Sequence, residues 1–267
     1  MYKFRDPIEK LIRQEEMEIK KEKYENLLKF VSENSEKLRR NEGLPIKNDC
    51  RIDENSFKKV IPLEEIEGDK EKIRKIKDGW LNQEKNKEAL GEKLEVFKTA
   101  IFQKFMGNDY ITIRSNEFDD VINGVDNIII DKKTGNIVSA FDEVMIRDEF
   151  LEDERKEKKN NKIRKLNKEG VLLKYGIKFS TKTGEKRVAI DRTTKIPIFC
   201  LDIPKNELEY GINNFDDEKA SAKTFNSFMF KLQEQMEIIK DYPEISKDII
   251  EKIEIFKKSL AEKKYIK

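Results

Sequence analysis

The sequence predicts an α/β protein, with a central mixed sheet of about four to six strands, flanking helices and helical extensions at both ends. Three observations predict it. Short apolar runs separated by turn residues occupy positions 110–203. The stretch just before them repeats Leu90, Leu94, Phe97, Ile101 and Phe105 at intervals of three and four, the period of a helix that lies on a sheet. Both ends of the chain carry long charged stretches with sparse apolar stripes.

In chain order, Asp6 and Pro7 open a helix running to about Arg40, because a capping carboxylate precedes the one position where proline's missing N–H is harmless. Its uneven stripe of Ile8, Leu11, Ile12, Ile19, Leu27, Leu28 and Val31 suits packing on a neighbour. Asn41 to Pro45 end it, and the chain to about Asn55 reads as a linker. A helix from about Leu63 to Asp78 precedes Trp80, and the amphipathic helix covers about Gln83 to Met106. Gly107-Asn108-Asp109 stops it.

Tyr110 to Arg114 is the first strand, Val125 to Asp131 the second and Asn136 to Val144 the third, the last two joined by a Lys-Lys-Thr-Gly turn. A basic helix spans about Asp148 to Asn167. Gly170 to Phe179 reads as a fourth strand, Lys186 to Ile190 as a hairpin extension and Ile196 to Ile203 as a last strand. From Asp216 the chain is helical, with Phe225, Phe228, Met229, Leu232 and Met236 on one face. Tyr242-Pro243 breaks it before a final helix from Ser246 to about Lys263. The organisation is a helical extension (1–82), an α/β core (83–215) and C-terminal helices packed on it (216–267).

A chain of 267 residues buries roughly 70% of its unfolded surface, enough for a sizeable core. Its 41% of charged residues must then form a solvated, ion-paired surface. With no histidine, Ser-His-Asp and Cys-His nucleophile systems and His-ligated zinc hydrolases are excluded. Neither GxxxxGK[ST] nor GxGxxG after a strand occurs, against a nucleotide-driven motor or a dinucleotide enzyme. Cys50 and Cys200 lack metal-ligand spacing, and Cys200 reads as a core thiol. No run reaches membrane-span length and the first residues lead into a charged helix, so no membrane partner and a cytoplasmic location are expected.

Chemistry without histidine needs carboxylates, and these gather near the predicted hairpin. Asp126 sits at the mouth of the second strand and Asp142 at the far end of the third, where two carboxylates would share a Mg²⁺ or Mn²⁺ ion that activates water and neutralises phosphate charge. Asp119 and Asp120 lie in the loop just before, and Glu143 points to the face opposite Asp142. The alternative reading is structural: Asp119, Asp120, Asn123 and Gly124 are ordinary turn residues, Asp126 caps a strand and Asp142-Glu143 cap a helix.

From about Gln83 to Ile203 this arrangement resembles the PD-(D/E)XK nuclease superfamily, in particular its Holliday-junction-resolvase-like and RecB-like members. There a helix carrying a glutamate precedes three strands, an aspartate opens the second, an acid-x-lysine triplet sits in the third, and a helix and further strands come after it. The resemblance implies a restriction-endonuclease-like core with Asp126 as the aspartate, Asp142-Glu143-Val144 in the triplet's place, and Glu92 or Glu95 as the glutamate. Glu95 lies closer to the helix's apolar stripe. Val144 stands where the lysine belongs, and a positioned proton-transfer group is worth roughly a hundred- to ten-thousand-fold in rate. Lys174 and Lys178, on one face of the predicted fourth strand, are the candidates for a relocated amine if that strand lies beside the third.

From Arg155 to Lys195, fifteen Lys or Arg face four Asp or Glu, a balance of +11; with +2 overall, the rest of the chain sums to −9. Lys158, Lys159, Lys162, Arg164, Lys165, Lys186 and Arg187 are the candidates within this belt for contacts to a nucleic-acid backbone, with low sequence specificity. Three functions compete: a metal-dependent nuclease, a catalytically silent module of the same fold that binds nucleic acid or protein, and a helical assembly factor acting through residues 1–40 and 216–267.

Overall fold

The structure, a computed structural model, describes residues 7–81, 85–142, 145–146, 152–180 and 187–266. Helix α1 (Pro7–Glu42) exposes residues 14–22, including Met17 and Ile19, and buries Leu27 and Val31 where it packs on later helices. A loop with one 3-10 turn (Glu54–Phe57) leads to α2 (Leu63–Leu81) and α3 (Lys85–Met106). Then come β1 (Tyr110–Arg114), α4 (Glu117–Asn123), β2 (Asn127–Asp131) and β3 (Ile137–Asp142). After β4 (Met145–Ile146) come α5 (Glu152–Asn167), β5 (Ile177–Ser180), β6 (Arg187–Ile190), β7 (Ile198–Cys200) and β8 (Ile203–Pro204). Helices α6 (Lys205–Asn213), α7 (Glu218–Lys240) and α8 (Lys247–Glu262) complete the chain.

The main sheet has the order β1-β2-β3-β7; β1, β2 and β3 are antiparallel in succession, and β7 runs parallel to β3. A parallel neighbour demands a crossover, which α5 and the β5–β6 hairpin supply. The backbone of β1 and β2 is buried throughout, because helices cover the sheet on both faces. Phe141 and Asp142 point to opposite faces by the alternation of a strand. The first meets Phe102 of α3 at 5.2 Å between ring centres, and the second meets Lys162 of α5.

Phe102 also packs on Phe225 and Phe228 of α7, at 5.8 and 6.0 Å. Burying each such ring contributes about 1.5–3 kcal/mol. The outer edge of β7 is closed by two side-chain amides. Asn167 bonds both the N–H and the C=O of Ile198, and Gln235 does the same for Cys200, all at 2.7–2.9 Å. Each amide mimics a strand backbone, so this edge offers no further strand its hydrogen bonds.

The structure bears out the α/β class, a four-stranded mixed sheet and the flanking helices. It corrects several local expectations. The predicted linker at 41–55 is a structured loop that runs along β1. Ile52 N–H donates to Arg114 O at 3.1 Å and Arg114 N–H to Cys50 O at 3.0 Å. Ile46, Cys50, Ile52 and Phe57 join the same hydrophobic cluster as the sheet, so the region before residue 83 shares one core with the α/β region. Gly170 to Phe179 is not one strand: only its end forms β5, which pairs with β6 in a separate hairpin, and the strand beside β3 is β7. The chain turns at Lys174 and Tyr175, just before Gly176, which breaks the apolar run that the sequence suggests. Helix α6, absent from the sequence reading, starts directly after Pro204.

Candidate metal and phosphodiester site

Residues 117–123 form a helix where a loop is expected, and this decides the site. Asn116 caps its start, its side chain accepting from Phe118 N–H at 2.8 Å, while the same amide donates to Ile52 O and Glu54. Gly124 ends it at φ +65, a left-handed position natural to glycine, and turns the chain towards Asp126. Successive residues of a helix point about 100° apart, so Asp119 and Asp120 leave in different directions.

Asp120 turns towards the end of the sheet. There Glu95 of α3, Asp120 of α4 and Asp126 just before β2 each offer a carboxylate oxygen, all within 4.8 Å of one another. Asp126 is buried and held by its backbone, its N–H donating to Phe141 O and its C=O accepting from Ser115 N–H, both at 2.8 Å. Two arginines close the group. Arg51 bridges Glu95 and Asp120 at 2.8 Å to each, and Arg114 reaches Glu95 through Nη2 at 2.6 Å and Nε at 3.1 Å. The third nitrogen of Arg114 meets Asp49 at 3.2 Å.

Charge in this pocket is unevenly matched. Burial and the neighbouring Glu95 push the Asp120 carboxyl above its ordinary range in spite of Arg51. Burial opposes the charge on Arg51, but Glu95 and Asp120 outweigh it and raise its pKa. A divalent ion such as Mg²⁺ or Mn²⁺ takes oxygen ligands at about 2.0–2.2 Å, so two of its ligands lie no more than about 4.5 Å apart, and Ca²⁺ extends that to about 5 Å. Carboxylate oxygens within 4.8 Å of one another meet the Ca²⁺ limit, and Mg²⁺ or Mn²⁺ would need them drawn together by a few tenths of an ångström; the donor set contains no nitrogen or sulphur.

Comparison with protein-family models, with curated proteins and with solved structures finds no match for this chain.

Of the expected residues, Asp126, Asp120 and Glu95 come together. Glu95 reaches the pocket because α3 is enclosed by the sheet, α1, α6 and α7, so its burial is not confined to one apolar stripe. Asp142 stands next to this group without belonging to it. It is buried, its Oδ2 lies 3.8 Å from where a Cβ on Gly124 would stand, and Lys162 pairs with it. Burial works against the Lys162 ammonium, but Asp142, with Asp126 behind it, raises its pKa.

Asp119 is a correction. It is fully buried facing away from the pocket, and accepts from Lys174 N–H at 2.7 Å, Tyr175 N–H at 2.9 Å and the Asn123 amide at 2.7 Å. Lys174 and Lys178 are corrected too: Lys174 pairs with Asp69 at 2.6 Å and Glu65 at 2.8 Å, and Lys178 with Asp191 at 3.2 Å. They miss the pocket because their segment never joins the main sheet.

Glu143 and Lys186 lie outside the described residues, as do the side chains of Lys158 and Lys159. In the rest of the belt, Arg164 pairs with Glu244 at 3.0 Å and rests on the Tyr242 ring, while Lys165 and Arg187 are exposed. The sequence reading missed Arg51, Arg114 and the role of Lys162. Arg114 carried a usable signal: a cation closing a strand as apolar as Tyr110-Ile111-Thr112-Ile113 must be buried with a partner. Among the described residues, no helix is long and apolar enough to cross a membrane.

Proposed function

We propose that this chain is a metal-dependent nuclease, or a nucleic-acid-processing protein derived from one. The observation that carries the reading is the meeting of Glu95, Asp120 and Asp126, from three separate elements, at one end of the sheet beside the Lys162–Asp142 pair. Gathering like charges costs desolvation, and such perturbed carboxylates cluster at functional sites. With α4, β4 and the β5–β6 hairpin set aside as insertions, the order α3, β1, β2, β3, α5, β7 adds support, since it follows the helix, three strands, helix and strand of the PD-(D/E)XK resemblance.

In this reading Glu95, Asp120 and Asp126 hold Mg²⁺ or Mn²⁺, with Asp142 at its edge. Such an ion, when bound, lowers the pKa of water and neutralises charge on a phosphodiester. Lys162 takes the part for which Val144 is unsuited: Asp142 keeps its ammonium charged, and it offers a fixed positive charge on the α5 side of the pocket. Exposed Lys165 and Arg187 would contact backbone phosphates.

A second reading, a catalytically silent module, is favoured by Arg51 and Arg114, which already neutralise part of the acidic group. One experiment separates the two. Plasmid, linear, branched and single-stranded DNA are incubated with the full chain and Mn²⁺, alongside Asp126→Asn, Glu95→Gln and Lys162→Met. Cleavage lost in all three variants supports the nuclease; cleavage unchanged in Asp126→Asn removes it. DNA binding without cleavage or Mn²⁺ uptake selects the silent module.

A further inference from the structure

We propose that Arg51 is an internal cation that holds the carboxylate pocket until a divalent ion displaces it, so that arginine-filled and metal-filled states exclude each other. The inference rests on reading the pocket as a metal site and adds how that site is controlled. The observation behind it is the bridge itself: one guanidinium spans Glu95 and Asp120 at 2.8 Å each, using two nitrogens on two different carboxylates. Arg51 holds Glu95 Oε2 and Asp120 Oδ2, and a hard cation shared by the same two carboxylates would lie in the gap that the guanidinium spans, with the other oxygen of Glu95 as its ligand because Oε2 stays on Arg114.

Charge points the same way. Three carboxylates face two guanidiniums, which leaves one negative charge over; a divalent ion in place of Arg51 brings the group to neutrality. The two arginines are not equivalent in this exchange. Arg114 lies within β1, is 1% exposed and has three nitrogens engaged, two on Glu95 and one on Asp49. Arg51 stands on the loop beside β1, and its Nε is 3.9 Å from Asp49, whose side chain is 40% exposed at the rim. Asp49 is thus a ready acceptor outside the pocket.

The backbone around Arg51 is fixed. Its C=O accepts from Lys47 N–H at 2.8 Å, and the next residue, Ile52, is bonded to Arg114 O. Exchange therefore needs only a swing of the Arg51 side chain from Glu95 and Asp120 to Asp49. The loop preceding α2 thereby sets the threshold of cation concentration at which the pocket fills, because the apparent affinity for the ion is reduced by the fraction of molecules in which Arg51 occupies it.

The test is a Mn²⁺ titration of the full chain by calorimetry, comparing wild type, Arg51→Gln and Arg51→Lys, with Asp126→Asn as the control for the site. Arg51→Gln is expected to bind Mn²⁺ about tenfold tighter or more, and Arg51→Lys to fall between, since one ammonium spans two carboxylates poorly. Equal or weaker binding in Arg51→Gln, with wild type still binding through Asp126, overturns the internal cation and leaves the metal site standing. No Mn²⁺ uptake by wild type or by either variant overturns the metal site and the inference together. Should Arg51→Gln fail to fold, Mg²⁺ titration of wild type labelled at the arginine side-chain nitrogens decides. The Arg51 Nε–H signal is expected to shift and lose exchange protection while Arg114 stays put, and an unmoved Arg51 signal during binding overturns the proposal.

Discussion

Asp119 and Asp120 are neighbours in one short helix, yet they end in opposite kinds of surroundings. Asp119 enters a closed network. Two backbone N–H groups and the Asn123 amide satisfy it, Lys174 beside it is shared by Asp69 and Glu65, and the Tyr175 hydroxyl donates to Asp69 at 2.7 Å. Burial and this bond to Asp69 push the Tyr175 phenol well above its usual range. Asp120 enters a crowd of carboxylates that two arginines balance only in part. A network whose donors and acceptors match is complete and serves to hold α2, α4 and the 170s turn together. The other brings carboxylate oxygens of three elements within 4.8 Å of one another, the geometry on which the metal reading rests.

The largest test of this contrast is Asp119→Ala. It leaves the N–H groups of Lys174 and Tyr175 without their acceptor in a buried site, and is expected to cost about 3–5 kcal/mol in denaturant unfolding. A loss under about 1 kcal/mol would mean that the network is not structural. Lys174→Met should come next at about 2 kcal/mol, because Asp69 and Glu65 lose their shared ammonium while Tyr175 still serves Asp69.

Third comes a pH effect at another closed network, the turn after β6. Burial would raise the Asp191 carboxyl, but the Thr194 hydroxyl, the Thr193 amide and Lys178 outweigh it and hold it at about 2. A depressed carboxylate contributes stability that is present above its unfolded value of 3.8 and is lost as pH falls towards about 2. Asp191→Asn is expected to be about 1–2 kcal/mol less stable than wild type at pH 6, with the gap closing between about pH 4 and 2.

The smallest effect carries the opposite sign. Asp120 is raised, so its charged form is disfavoured in the folded state. Asp120→Asn should therefore be no less stable than wild type at neutral pH, since Arg51 keeps Glu95 as its partner. The difference should shrink as acid protonates Asp120 in the wild type. Thermal unfolding of both proteins across pH measures it, and a clear loss of stability in Asp120→Asn at pH 7 would place Asp120 with Asp119 as a structural group.

Much of the fold is legible in the letters. Tyr110–Arg114 reads as a strand because β-branched and aromatic residues run between two turn signals, and Lys85–Met106 reads as a helix from its apolar spacing. The acidic end of the sheet is legible in part, since Asp126 must follow Gly124 into the second strand and an aspartate there faces its hairpin partner. Helix α4 is hard to see, because Asp, Asn and Gly suit both a turn and a short capped helix. Lys174 is misleading for a related reason: an apolar run with two glycines reads as a strand, while the backbone makes a turn whose N–H groups grip Asp119.

The sequence by itself determined the α/β class, the first three strands of the sheet, and that any chemistry in a chain with no histidine falls to other side chains. These come from local periodicity and composition, which act over a few residues. Only the tertiary structure decided which carboxylates share a pocket, that Arg51 from 44 positions before Glu95 bridges two of them, and that Lys162 stands by Asp142 where Val144 offers no charge. Contacts between residues so far apart depend on how helices pack across a sheet, and burial then forces each charge to find whatever partner that packing brings within reach.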